Sequence, residues 1–139
     1  MSTVIRIVAA VLVDDDGRVL LVRKRGTTSW MQPGGKIEAG ERADDALARE
    51  LHEELGLVLD TSTFEYWGRF EADAANEPDH TVDSDVYLVR VNGPVAVAAE
   101  IEELRWIELG EDHGLTVAPL SELHLFPLLA ERRGTRPLG

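Results

Sequence analysis

A chain of 139 residues with 44% hydrophobic and 29% charged residues fits one domain, expected over 1–139, with enough apolar matter for a core. Its net charge of -12 repels nucleic-acid backbones and anionic bilayers, so no nucleic acid polymer and no membrane is expected as a partner. Without cysteine there is no disulfide and no thiolate zinc site, and a reducing, cytoplasmic setting is expected.

The first segment, VIRIVAAVLV (4–13), is rich in β-branched residues. It is short, carries Arg6 and runs into three aspartates, so it predicts a buried strand rather than a signal or a membrane span. DDDG (14–17) is a turn signal, and RVLLVRKR (18–25) reads as the second strand of a hairpin. GTTSWMQPGG (26–35) reads as a loop, in which Pro33 keeps Gln32 extended and the glycines allow unusual backbone shapes. Residues 41–55 predict a helix, because Ala43, Leu47, Leu51 and Leu55 recur every four positions, and Gly56 is its stop.

FEYWGRFEA (64–72) and VDSDVYLVRV (82–91) read as strands, with Tyr66, Trp67 and Phe70 assigned to the core. The polar segment 73–81 joins them, either as a lid or as a plain hairpin connection. LRWIEL (104–109) predicts a further strand. SELHLFPLLAERRG (121–134) predicts a last helix with Pro127 near its first turn. This order of elements favours an α+β or layered sandwich with a mixed sheet over a doubly wound parallel one.

The helix raises a question of charge. Glu50, Glu53 and Glu54 fall within an arc of roughly 100° beside the leucine stripe, where they repel one another. A solvated acidic face answers it, with Arg42 or Arg49 satisfying some of the acids. A divalent cation answers it too, since Mg²⁺ and Mn²⁺ prefer carboxylate and carbonyl oxygens and bring phosphates with them. The Gly34-Gly35 pair could approach an ion or phosphate closely or form a plain turn. Lys36 could meet a phosphate or water. His52 lies off the carboxylate arc, and His113 and His124 show no ligand spacing.

Gly35, five residues, Glu41, seven residues, then Arg49-Glu50-Leu51-x-Glu53-Glu54-x-Gly56-Leu57 resembles the Nudix box, with every defined position filled. The resemblance implies a Nudix-type α/β/α sandwich with a central mixed sheet. It also implies hydrolysis of a nucleoside diphosphate linked to another group, with water attacking phosphorus and divalent cations assisting. By position, Glu53 and Glu54 resemble the principal metal ligands, the Gly34 carbonyl an additional one, and Glu50 a further ligand or base. Arg49 resembles the residue that orients the glutamates, and Glu41 and Gly56 look structural. In MutT-like members a glutamate of a later loop joins the metal site, which makes Glu100 or Glu103 candidates. Both also suit an exposed acidic loop.

Arg23 sits where MutT-like proteins place a phosphate-binding arginine, and also suits an ordinary strand-end charge. It shares a facing with Arg25 on a regular strand. Gly35 and Lys36 complete the candidate substrate contacts, with Trp30 as a base-stacking or packing residue. The proline pattern that resembles ADP-ribose pyrophosphatases is replaced by Ala72, no coenzyme A motif precedes the box, and no NADH-type SQPWPF follows it. The chain therefore most resembles a MutT-type (d)NTP pyrophosphohydrolase that uses Mg²⁺, or Mn²⁺, and releases a nucleoside monophosphate and pyrophosphate. Nucleotide sugars and dinucleoside polyphosphates are alternative substrates, and a non-catalytic nucleotide sensor is an alternative class. The expected partner is a small nucleotide, with a second copy of the chain as a candidate homodimer partner.

Overall fold

β1 (Thr3–Val13) is the spine of the molecule. Strand alternation sends Ala9, Val11 and Val13 into one core layer and Val8, Ala10 and Leu12 into the other. Burial on both faces explains why this segment reads as a continuous apolar run. The computed structural model of the protein describes residues 3–134.

β2 (Val19–Lys24) follows a tight turn in which the Asp14 carboxylate accepts the N–H groups of Asp16 and Arg18, at 3.0 and 2.8 Å. The expected hairpin holds only at its closed end, where Val13 pairs with Val19. Beyond that point β2 leaves β1, and a short strand takes its place. β3 (Gly34–Lys36) pairs antiparallel with β1, Gly34 opposite Ala9, and the Ala10 N–H donates to the Pro33 carbonyl at 2.9 Å. Met31 bridges Val22 and Trp30 bridges Val117. The segment 26–35 is thus partly ordered by sheet pairing rather than a loop throughout.

α1 (Ala43–Leu55) buries Ala46, Leu47, Leu51 and Leu55 against Val8, Ala10, Leu12, Leu20 and Val22. It starts two residues later than the leucine spacing suggests, because Arg42 is extended and serves as the N-cap. Gly56 ends it in the left-handed region at φ +69°, its N–H donating to the His52 carbonyl while Leu57 N–H reaches Leu51.

β4 (Glu65–Asp73) and β5 (His80–Arg90) are antiparallel, and β5 runs parallel to β1 in unbroken register from Thr3–His80 to Val13–Arg90. β6 (Ile101–Ile107) pairs antiparallel with β2 and begins three residues earlier than 104, so Glu102 and Glu103 lie on the strand itself. The sheet order is β4-β5-β1-β2-β6, with β3 also on β1. Trp67 is in the core and Phe70 packs on it, but Tyr66 faces outward at 54% exposure, donating its hydroxyl to Asp85.

The second helical layer opens with a π-helical turn (Leu120–Leu125) and continues as α2 (Phe126–Gly134). Pro127 is thus the second residue of α2, in its first turn, and midway along the combined helical run. Proline has no N–H and its ring crowds the preceding turn, and the wide π turn lets the run pass it without a break. Leu120, Leu125 and Leu129 cover the sheet face opposite α1, which completes an α/β/α sandwich with a mixed sheet. No helix among the described residues is long and apolar enough to cross a membrane.

Candidate active site

Arg49 organises the exposed edge of α1. Its Nε and Nη2 donate to the two Glu41 oxygens at 2.9 and 3.0 Å, its Nη1 donates to Glu50 at 2.9 Å and stands 3.5 Å from Glu53, and its Nη2 also reaches the Lys36 carbonyl at 3.1 Å. One guanidinium thus ties the entry to α1, the end of β3 and two of the three glutamates into one frame. The surrounding acids hold its pKa above the ordinary arginine value, the bond to Glu41 contributing most.

Glu54 lies on the inner side of that frame and is only 5% exposed. Its carboxylate accepts the Gly34 N–H at 3.2 Å. Burial pushes its pKa up to about 8, against the opposing pull of Lys24, while the charges of Glu50 and Glu100 push it further up. Burial likewise raises Glu50, partly offset by Arg49.

The adjacent glycines have separate reasons. Gly34 has φ +151°, and a Cβ there would stand 2.1 Å from the Val8 carbonyl oxygen. Gly35 leaves room for the Glu50 carboxylate, whose Cδ would be 2.5 Å from an added Cβ. The first glycine lets β3 lie against β1, and the second lets α1 bring a carboxylate onto β3.

A cavity of about 200 Å³ opens beside this junction. Gly34, Gly35, Lys36, Lys24 and Thr27 line it, as do Ala75 and Val82. Segment 73–81 is therefore both a hairpin connection and a wall of this cavity. Lys24 and Lys36 put positive charge into its lining, which Glu77 also joins, in a strongly acidic protein. Lys24 did not stand out in the sequence, yet alternation from Leu20 and Val22 aims it at the α1 layer. Gln32 also lines the cavity, and nothing in its loop sequence marks it.

The other sequence candidates separate. Trp30 is 8% exposed and packs with Val117 and Leu120, so it belongs to the core rather than to a stacking surface. Arg23 donates from Nε to Glu103 at 3.1 Å and from Nη1 to the Thr27 carbonyl at 2.7 Å. A candidate phosphate ligand and a candidate base thus hold each other. Glu100 accepts the Arg25 N–H on its carbonyl at 2.8 Å, and its carboxylate acts on Glu54. The loop before it docks on the end of α1 through Ala98 N–H to the Glu54 carbonyl, 2.9 Å. His52 is exposed, and His124 stacks near Phe70, away from the glutamates.

Among the described residues no three acids or imidazoles already converge at metal-binding distance. The donor chemistry nonetheless fits a hard divalent cation. A buried carboxylate with a raised pKa, a half-buried one and an exposed one share an edge of α1, and the backbone of Gly34 lies against them. A cation here would compensate the cost of keeping Glu54 ionised.

A family model described as the NUDIX domain matches residues 4–124. The chain belongs to the Nudix family. It is a Nudix hydrolase, an enzyme acting on phosphoanhydride bonds. Oxidized purine nucleoside triphosphate hydrolase of Danio rerio is 30% identical over 144 residues, covering 92% of this chain and 81% of that protein. Nucleoside triphosphatase NudI of Escherichia fergusonii is 29% identical, over 89% of this chain and 98% of that one. Among solved structures, the MutT protein from Methanosarcina mazei Go1 superposes with a TM-score of 0.76 over 98% of both chains, at 23% identity. The E. coli ORF135 protein gives 0.74 at 27% identity, over 99% of this chain and 96% of that one.

Proposed function

We propose that this chain is an Mg²⁺-dependent pyrophosphohydrolase of nucleoside triphosphates, consuming one water and releasing a nucleoside monophosphate and pyrophosphate. The observation that carries this reading is the placement of buried Glu54 against Gly34, which lines a cavity that Lys24 and Lys36 also line. Two relatives that align over most of their length carry triphosphate-hydrolase names, which supports the same reading.

Glu50, Glu53, Glu54 and the Gly34 carbonyl would hold the cation, Mg²⁺ or Mn²⁺. When bound, such an ion supplies positive charge against the phosphates and lowers the pKa of water. Lys24 and Lys36 face the polyphosphate as point charges. Arg49 positions Glu50 and Glu53 through its anchor on Glu41. A carboxylate takes the proton from the attacking water. Arg49 already holds Glu50 and Arg23 already holds Glu103, whereas Glu100 lies within the field of Glu54, so Glu100 is the better acceptor.

The test is turnover of a panel of nucleoside triphosphates, nucleotide sugars and dinucleoside polyphosphates with Mg²⁺, by wild type and Glu53→Gln. We expect triphosphates to lead the panel and the variant to lose turnover with an unchanged fold. Wild-type rates in the variant would contradict the ligand assignment, and preference for a nucleotide sugar would contradict the substrate class.

A further inference from the structure

A second cavity, of about 360 Å³, opens at the other end of β1. Val13, Trp67, Leu88 and Leu129 line it, and all four belong to the core layer on the α2 side of the sheet. Glu65, Arg90 and Arg132 complete the lining. None of these residues lines the cavity beside the glycine pair, which runs along Ile5, Ile7, Val8 and Ala9 of the same strand.

One wall of the second cavity is already assembled. Trp67 Nε1 donates to the Glu65 carboxylate at 2.8 Å. The Arg132 guanidinium lies over the same indole, 4.7 Å from the ring centroid, and its Nη1 reaches the same Glu65 oxygen at 3.4 Å. Ring and acid together fix where this cation stands.

Arg90 is held by nothing comparable. Its backbone forms the last rung between β5 and β1, opposite Val13, and strand alternation gives it the facing of Leu88. The side chain is exposed, and its guanidinium makes no hydrogen bond or ion pair among the described residues. The lining thus carries two arginines and one glutamate, a surplus of one positive charge. That surplus stands in a chain with 26 acidic residues against 14 basic ones, where a second acid for Arg90 would have been easy to supply.

We propose that this cavity is a second binding site, separate from the glutamate edge of α1, for a small monocarboxylate with an apolar body. The inference does not depend on the hydrolase reading. A single carboxylate balances the surplus charge and matches the planar fork of Arg90. The apolar body lies against Val13, Leu88 and Leu129, which give a hydroxyl-rich ligand such as a sugar no partners. A phosphate monoester would bring a second negative charge beside Glu65. A neutral apolar molecule would leave Arg90 unmatched.

The test is an NMR titration of the full chain with 3-phenylpropionate, following the indole N–H of Trp67. Those of Trp30 and Trp106, which do not line this cavity, serve as internal references. The comparison ligands are acetate, 3-phenylpropanol and 3-phenylpropyl phosphate. We expect a saturable shift at Trp67 with 3-phenylpropionate, and affinity for each comparison ligand lower by about tenfold or more. Arg90→Gln should weaken 3-phenylpropionate by about tenfold and leave the thermal midpoint in place, since this side chain makes no bond in the fold. Lys24→Met, in the other cavity, should leave its affinity unchanged. No saturable shift at Trp67, or wild-type affinity in Arg90→Gln, overturns the inference. Equal binding of acid and alcohol overturns it too, and tighter binding of the phosphate contradicts the charge class. Affinity lost in Lys24→Met but kept in Arg90→Gln would place the ligand in the other cavity and overturn it as well.

Discussion

The Arg49 guanidinium grips both oxygens of Glu41, eight residues earlier, at 2.9 and 3.0 Å, and so fastens the segment leading into the helix to the helix edge that carries the reactive acids. A planar fork that matches a carboxylate is something lysine lacks. Arg49→Lys should therefore lower kcat by up to ~100-fold while KM moves much less, since the acids lose their fixed geometry and the substrate cavity keeps its walls. Steady-state kinetics separate the two constants, and an effect confined to KM would argue against a positioning role.

Gly34 and Gly35 should fail in different ways. Gly34→Ala places a methyl on the Val8 carbonyl and costs stability, on the order of 3 kcal/mol, in a denaturant titration. Gly35→Ala meets only the end of the Glu50 side chain, which can move aside. Its denaturation midpoint should stay closer to wild type while its activity falls steeply. Equal stability losses in the two variants would show that Glu50 does not depend on the space Gly35 leaves.

Glu54 makes stability depend on pH. Its pKa rises from an unfolded value near 4.5 to about 8 in the folded protein, so the native state keeps a proton that the unfolded chain releases. With more protons bound to the folded state, stability falls as pH climbs from about 4.5 to about 8. The largest effect is ~5 kcal/mol if the group is fully isolated from water. Asp14, Asp44 and Asp83, whose pKa values hydrogen bonds to arginine lower, act in the opposite sense and only at acid pH. The comparison of wild type with Glu54→Gln isolates the term. In metal-free buffer the variant should lose part of the decline and exceed the wild type in stability at pH 8. Parallel pH profiles would refute a buried, protonated Glu54.

Lys24 should matter to substrate more than to fold. It lines the cavity and opposes the rise in the pKa of Glu54. Lys24→Met should raise KM for triphosphates several-fold and flatten the dependence of KM on salt, because one phosphate-facing charge is gone. A KM and salt slope unchanged from wild type would remove Lys24 from the substrate path.

The parts of this molecule written into local sequence are those with a repeat of their own. The four-residue spacing from Ala43 to Leu55 announced α1, Gly56 its end, and the β-branched run of β1 its burial. The acid edge of α1 followed from geometry on that single helix. β3 has no such signature: Gly34, Gly35 and Lys36 form a strand because β2 diverges from β1 and leaves its edge open. The parallel pairing of β1 with β5 also depends on residues far apart in the chain. The ring of Trp30 suits stacking or packing alike, and its backbone bridge to Val117 settles it in the core. The π turn before Pro127 arises only once the layers are stacked.

Titration of Mn²⁺ into wild type, Glu53→Gln and Glu54→Gln, followed by calorimetry at neutral pH, tests the role of the α1 acids most directly. Saturable binding by the wild type, weakened at least tenfold in both variants together with loss of triphosphate turnover, is the predicted result. Wild-type Mn²⁺ affinity and turnover in both variants would show that these glutamates are a solvated face and that the chemistry resides elsewhere.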